Sequence, residues 1–138
     1  MAFLLDTNVV SELRKRERCN PSVRQWFSAV EADDLYVSVL VVGEIRRGIE
    51  LLRRRDTRGA TALDRWLSEL ERRYGDRILP VTLEICRIWG GMSLARPLAP
   101  IDGLMAATAV HHRMTLVTRN VSDVDRSGVD VLDPFAAA

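Results

Sequence analysis

Phe3-Leu4-Leu5-Asp6-Thr7-Asn8-Val9-Val10-Ser11-Glu12-Leu13 is the stretch on which the fold turns. A short apolar run ends at one carboxylate, two small polar residues come next, and a helical pattern begins. The run reads as a buried strand from Ala2 to Leu5 that delivers Asp6 to the carboxyl end of a sheet. In open α/β sheets, ligands bind at that edge. Thr7 or Asn8 is the expected cap of the succeeding helix.

Working outward, three later stretches bring further acids to the same edge. Leu35 to Val39 reads as a second strand, and Leu40 to Leu52 as a helix with Val42, Ile45, Ile49 and Leu52 on one face. Glu44 lies early in that helix. Gly48 sits one turn below it, and a helical glycine costs about 1 kcal/mol against alanine, so close packing of another backbone is expected there. Pro100 to Val110 is the last long helix, with Asp102 in its first turn and proline where a first turn accepts it. Thr115 to Thr118 is a strand, followed by Asn120 and Asp123, and Val129 to Leu132 is a final strand.

Between these lie a helix around Val23, Trp26, Phe27 and Val30, and a second from Ala62 to Tyr74 that forms a hairpin with the Glu44 helix. A short extended segment at Ile78 to Val81 precedes a helix capped by Thr82 and carrying Trp89. Strands alternate with helices, which argues an α/β fold on a parallel sheet. No internal repeat and no second domain is visible, so residues 1–138 are expected to form one domain.

Bulk properties narrow the function. With 47% hydrophobic residues in 138, the chain can bury a core without disulfides or a structural metal. A net charge of +1 excludes a polybasic nucleic-acid binder, so any such contact is local. Lys15 is the only lysine; the other basic residues are arginines. Cys19 and Cys86 lack CxxC spacing and read as reduced thiols of a cytoplasmic protein. No signal peptide and no membrane-spanning run is expected. There is no P-loop, no dinucleotide-binding glycine pattern and no nucleophile elbow. His111 and His112 are adjacent rather than at zinc spacing, and the three tryptophans fall on apolar helix faces.

Carboxylates brought together repel one another unless a cation neutralises them. Hard divalent ions such as Mg²⁺ take oxygen ligands, and a metal so held can activate water and steady charge on a phosphodiester. Asp6, Glu44, Asp102 and Asp123 are therefore the candidate metal ligands and catalytic residues. Of Asn120 and Asp123, the carboxylate is expected at the fourth position because it adds charge, with Asn120 orienting the loop or the substrate.

On the stretches FLLDTNVVSEL, VSVLVVGEIRRGIE, IDGLMAATAVHHRMTLVTRN and VSD, the sequence resembles the PIN-domain ribonucleases, most closely the VapC-like toxins of bacterial toxin–antitoxin pairs. The resemblance runs almost end to end. It implies a three-layer α/β sandwich around a parallel sheet. It also implies a Mg²⁺- or Mn²⁺-dependent endoribonuclease, commonly dimeric and held inactive by an antitoxin. On that pattern Asp6, Glu44 and Asp102 are the acidic core, and Asn120 and Asp123 supply the fourth position. Thr7, Asn8 and Thr118 give polar support. Two positions depart from it: Val124 stands where Phe is usual, and Arg113 where Gly is usual. The rival readings are a PIN fold without catalysis, acting as a binding module, and a receiver-like phosphoacceptor. The latter needs a late lysine, which the chain lacks.

Overall fold

Five short strands lie side by side, all parallel, in the order β3-β2-β1-β4-β5. The structure is a computed structural model that describes residues 1–124 and 127–136. The strands are β1 (Phe3–Leu5), β2 (Leu35–Ser38), β3 (Ile78–Leu79), β4 (Thr115–Val117) and β5 (Val131–Leu132). The helices are α1 (Thr7–Leu13), α2 (Pro21–Ala29), α3 (Val39–Arg53), α4 (Thr57–Tyr74), α5 (Leu83–Gly90), α6 (Pro100–His112) and α7 (Val121–Val124).

β1 is central because all three of its residues are apolar. Phe3, Leu4 and Leu5 are buried on both faces of the sheet, as expected for a strand covered by helices on either side. Phe3 pairs with Leu35 on one flank and Thr115 on the other, and Leu5 pairs with Val117. The architecture is the three-layer α/β sandwich expected from the sequence. The core is continuous from the sheet into Val9, Val41, Ile49, Leu67 and Met105. α6 meets the rest of the chain through Gly103, Met105, Ala106, Ala107, Thr108 and Ala109, all buried, and small side chains let it approach closely.

Caps fix the helix starts. Asp6 itself caps α1, its carboxylate accepting from Thr7 N, so neither Thr7 nor Asn8 takes the role expected of it. Asn20 caps α2 with Pro21 at the first position, Ser38 caps α3, and Thr82 caps α5. α4 begins at Thr57 rather than Ala62. Asp56 caps it and accepts from Gly59 N at 2.9 Å. Gly59 leaves room for that cap, because a Cβ there would meet Asp56 Oδ2.

α3 and α4 form the expected hairpin, clipped by Asp64, which pairs with Arg46 and Arg53 while Glu50 bonds the same two arginines. The pairs are partly exposed, so they set the register of the hairpin more than they stabilise it. They also occupy Arg53, the first of the 53–55 arginine run. The expectation for Gly48 fails: nothing lies within 4 Å of where its Cβ would be. It faces open space, and its neighbours do not require it.

Arg113 explains one departure from the family pattern. It is the C-cap of α6 and has φ +56° in the left-handed region, where an L side chain costs about 1–2 kcal/mol and glycine is favoured. Arg113→Gly is expected to stabilise the protein by about 1 kcal/mol in denaturant unfolding. Arg113→Val is expected to destabilise it. Equal midpoints for the three proteins would show that the turn carries no strain.

Candidate metal centre

The site grows from the end of β1. Asp6 N donates to Val117 O at 2.9 Å, carrying the β1–β4 ladder one step past the strand. That bond aims the Asp6 side chain between α1 and the end of β4. Its Oδ1 accepts from Thr7 N at 2.7 Å. Its Oδ2 accepts from the Thr118 hydroxyl at 2.7 Å and from Asn8 Nδ2 at 3.2 Å. Thr118 is wholly buried, and its hydroxyl also accepts from Asn120 N at 3.0 Å. Asn8 Oδ1 accepts from Arg119 N at 3.2 Å. One network thus joins Asp6, Asn8, Thr118 and the backbone of 119–120.

A second link runs the other way. The Thr7 hydroxyl donates to Glu44 Oε1, so α1 and α3 share a hydrogen bond at the same edge. Nothing in the sequence signals this pair, because its members are 37 positions apart. Asp102 enters from the first turn of α6, where Ala99 provides no side-chain cap. It is half-buried, and its carboxyl is held above the ordinary range, first by burial and then by the like charges of Asp6 and Asp123. Asp123 and Asn120 are exposed, and Asp123 N donates to Asn120 O at 3.1 Å.

The predicted residues are therefore gathered in two ways. Asp6, Thr7, Asn8, Glu44 and Thr118 are joined by direct hydrogen bonds. Asp102 and Asp123 join through charge, and Asn120 through its backbone. His111 and His112 lie at the far end of α6. Their rings make an edge contact, with centroids 4.8 Å apart, rather than diverging. Burial lowers the His112 imidazole below its ordinary value, with His111 adding to the effect.

Two features at this end of the fold escape sequence reading. Arg119 Cζ lies 3.8 Å from the centroid of Phe135, a stack that only the folded C-terminal segment creates. Glu12 is 8% exposed, accepting from Asn20 N at 2.8 Å and Lys15 Nζ at 3.0 Å, and these bonds lower its carboxyl. It closes the turn between α1 and α2.

The donor set suits a hard cation. Every candidate ligand is an oxygen, and Asp102 is an anion disfavoured by burial and by two like charges, which a divalent ion relieves. Among the described residues, no group of three or more His, Cys, Asp or Glu side chains is gathered tightly enough to hold an ion unaided. Mg²⁺ does not need such a cage, since it keeps several waters and takes one or two carboxylates plus phosphate oxygens. A hollow of about 550 Å³ lies elsewhere, between α1, α2 and α4.

A family model described as PIN domain matches residues 3–125. The chain is 31% identical to a VapC ribonuclease of Sinorhizobium fredii, the alignment covering 99% of each. It is 30% identical to the toxin FitB of Neisseria gonorrhoeae over 96% of this chain and 98% of that protein. The structure of FitAB bound to a DNA fragment contains a similar chain. It superposes with a TM-score of 0.88 at 31% identity, covering 99% of this chain and 97% of that one.

A carboxyl raised above its ordinary value favours folding while protonated. That contribution is complete below the ordinary aspartate value of 3.8 and is lost as pH rises through the folded value. Asp102→Asn is therefore expected to raise the melting temperature of the metal-free protein at pH 7. The gain should shrink to nothing as pH falls to the ordinary aspartate range. A lower melting temperature at pH 7 would show that Asp102 is not under electrostatic strain.

Proposed function

The chain belongs to the PIN domain family, and on that premise we propose that it is a metal-dependent endoribonuclease, the toxin of a toxin–antitoxin pair. The reading is supported by Asp6 and Glu44, linked through Thr7 at one sheet edge, and by Asp102, disfavoured as an anion first by burial and then by Asp6 and Asp123. No observation favours the same fold without catalysis. The acidic residues of the family pattern are all present.

In this reading Asp6, Glu44 and Asp102 would hold Mg²⁺ or Mn²⁺, and Asp123 would act directly or through water. The bound ion supplies an activated water and stabilises charge on the scissile phosphodiester. The chain's own residues do the positioning. Thr118 and Asn8 fix the rotamer of Asp6, and Thr7 fixes Glu44. Thr118 also draws the 119–120 backbone inward, which sets where α7 begins and so where Asp123 stands.

The partners in this reading are RNA, a cognate antitoxin and a second copy of the chain, in the cytoplasm. No helix among the described residues is long and apolar enough to cross a membrane. The groove of about 550 Å³ supports a protein partner: Leu13, Phe27, Trp66 and Leu70 line it together with charged groups such as Arg14 and Glu69. For the dimer, α2 offers little, since Val23 is buried and Trp26 and Phe27 are half-buried against the core. Val39 and Leu51 of α3 remain exposed.

Purified protein free of antitoxin is expected to cut RNA with Mg²⁺ or Mn²⁺ and to stop on addition of EDTA. Asp6→Asn should lose nearly all activity while keeping its circular dichroism spectrum, and full activity in that variant would refute the assignment. Asp123→Asn should raise the Mg²⁺ concentration for half-maximal rate by about 10-fold, the lower end for a ligand acting through a second group. Asn120→Ala should raise it less; the reverse order would exchange their roles.

A further inference from the structure

Gly103 stands buried in the first turns of α6, directly after Asp102. A Cβ at that position would lie 2.8 Å from both Cδ1 and Nε1 of Trp89. Glycine is what allows the indole to rest against the helix, one residue from the acid edge. The indole so seated is not covered. Trp89 is 40% exposed. Beside it is a hollow of about 230 Å³, walled by Met92, Leu94, Pro97 and Leu98, with no charged side chain in its lining.

That volume is below the ~300–1,000 Å³ of pockets that take whole drug-sized ligands, and it suits a single ring system. Proteins that read RNA take unpaired bases by stacking them on aromatic side chains. Gly103 follows Asp102 directly, so the hollow it lines lies beside the edge at which a phosphodiester would be held. We propose that the hollow beside Trp89 is a nucleobase pocket for an unpaired base next to the cleaved bond. The proposal rests on the ribonuclease reading and adds to it a specificity-determining residue. Two facts favour a base over a helix of a second copy: Gly103, the residue after Asp102, lines the hollow, and the hollow is too small for a helix. Because its walls are apolar, it selects by stacking area, and a purine fits better than a pyrimidine.

The test uses the full chain carrying Asp6→Asn, with Mg²⁺, so that binding is read without cleavage. Short single-stranded RNAs with one abasic position, moved along the strand, are titrated by fluorescence anisotropy. One abasic position is expected to weaken binding by roughly 5- to 150-fold, the range for loss of one base–aromatic stack. Adding Trp89→Leu should abolish that sensitivity, and Trp89→Phe should keep most of it. Equal binding of every abasic RNA, or an unchanged abasic profile in Trp89→Leu, overturns the proposal. So does Trp89→Leu halving the mass by light scattering while RNA binding is unaltered, which assigns the face to a second copy. Should Trp89→Leu lose its circular dichroism spectrum, the abasic series on the parent decides alone. Failure of the parent to bind any of these RNAs would instead refute the ribonuclease reading itself.

Discussion

In a parallel sheet all strands end on the same edge, and that constraint places like charges together. β1, β2 and β4 are neighbours, so the residues just past their carboxyl ends are held within reach of one another. After β1 comes Asp6, after β2 comes α3 with Glu44, and after β4 come Thr118 and the turn to Asp123. α6 adds Asp102 by running into β4. The fold therefore assembles a set of carboxylates whose mutual repulsion it must bear. The raised Asp102 carboxyl reflects its burial first and that repulsion second.

Neutral donors hold the cluster in place. The Thr118 and Thr7 hydroxyls and the Asn8 amide each bond an acid without adding charge. A lysine or arginine there would pair with the acids and compete with a cation. Thr118 shows how much one buried hydroxyl can organise: it donates to Asp6 and accepts from Asn8 and from the backbone of 120. It is wholly buried, so no water replaces those bonds.

Much of the fold was legible because short, wholly apolar strands and capped helices are local signals. β1, β2 and β4 fall where their apolar runs stand, and Thr82 and Pro100 mark helix starts as expected. The departures have physical causes. α4 starts ahead of Ala62 because Asp56 caps it and Gly59 leaves room for that cap. Gly48 reads as a packing site and meets open space, which no pattern along the chain reports. Trp89 falls on an apolar helix face, yet its ring is left 40% exposed. The acids were legible one by one. Their partners were not, since Thr7 reaches Glu44 and Thr118 reaches Asp6 from distant parts of the chain.

That last separation bears on how the protein is made. Asp6 and Thr118 are 112 residues apart, and β1 has β4 as one of its two neighbours. At a synthesis rate of roughly 5–20 residues per second, Thr118 emerges about 6–22 s after Asp6. Until then the central strand lacks one flank, and Asp6 has neither its hydroxyl partner nor Asp102 beside it. The edge cannot exist in a nascent chain that still lacks β4. A ribosome-bound chain of this topology carries its acids unassembled, and whatever activity they support begins only after β4 has been made.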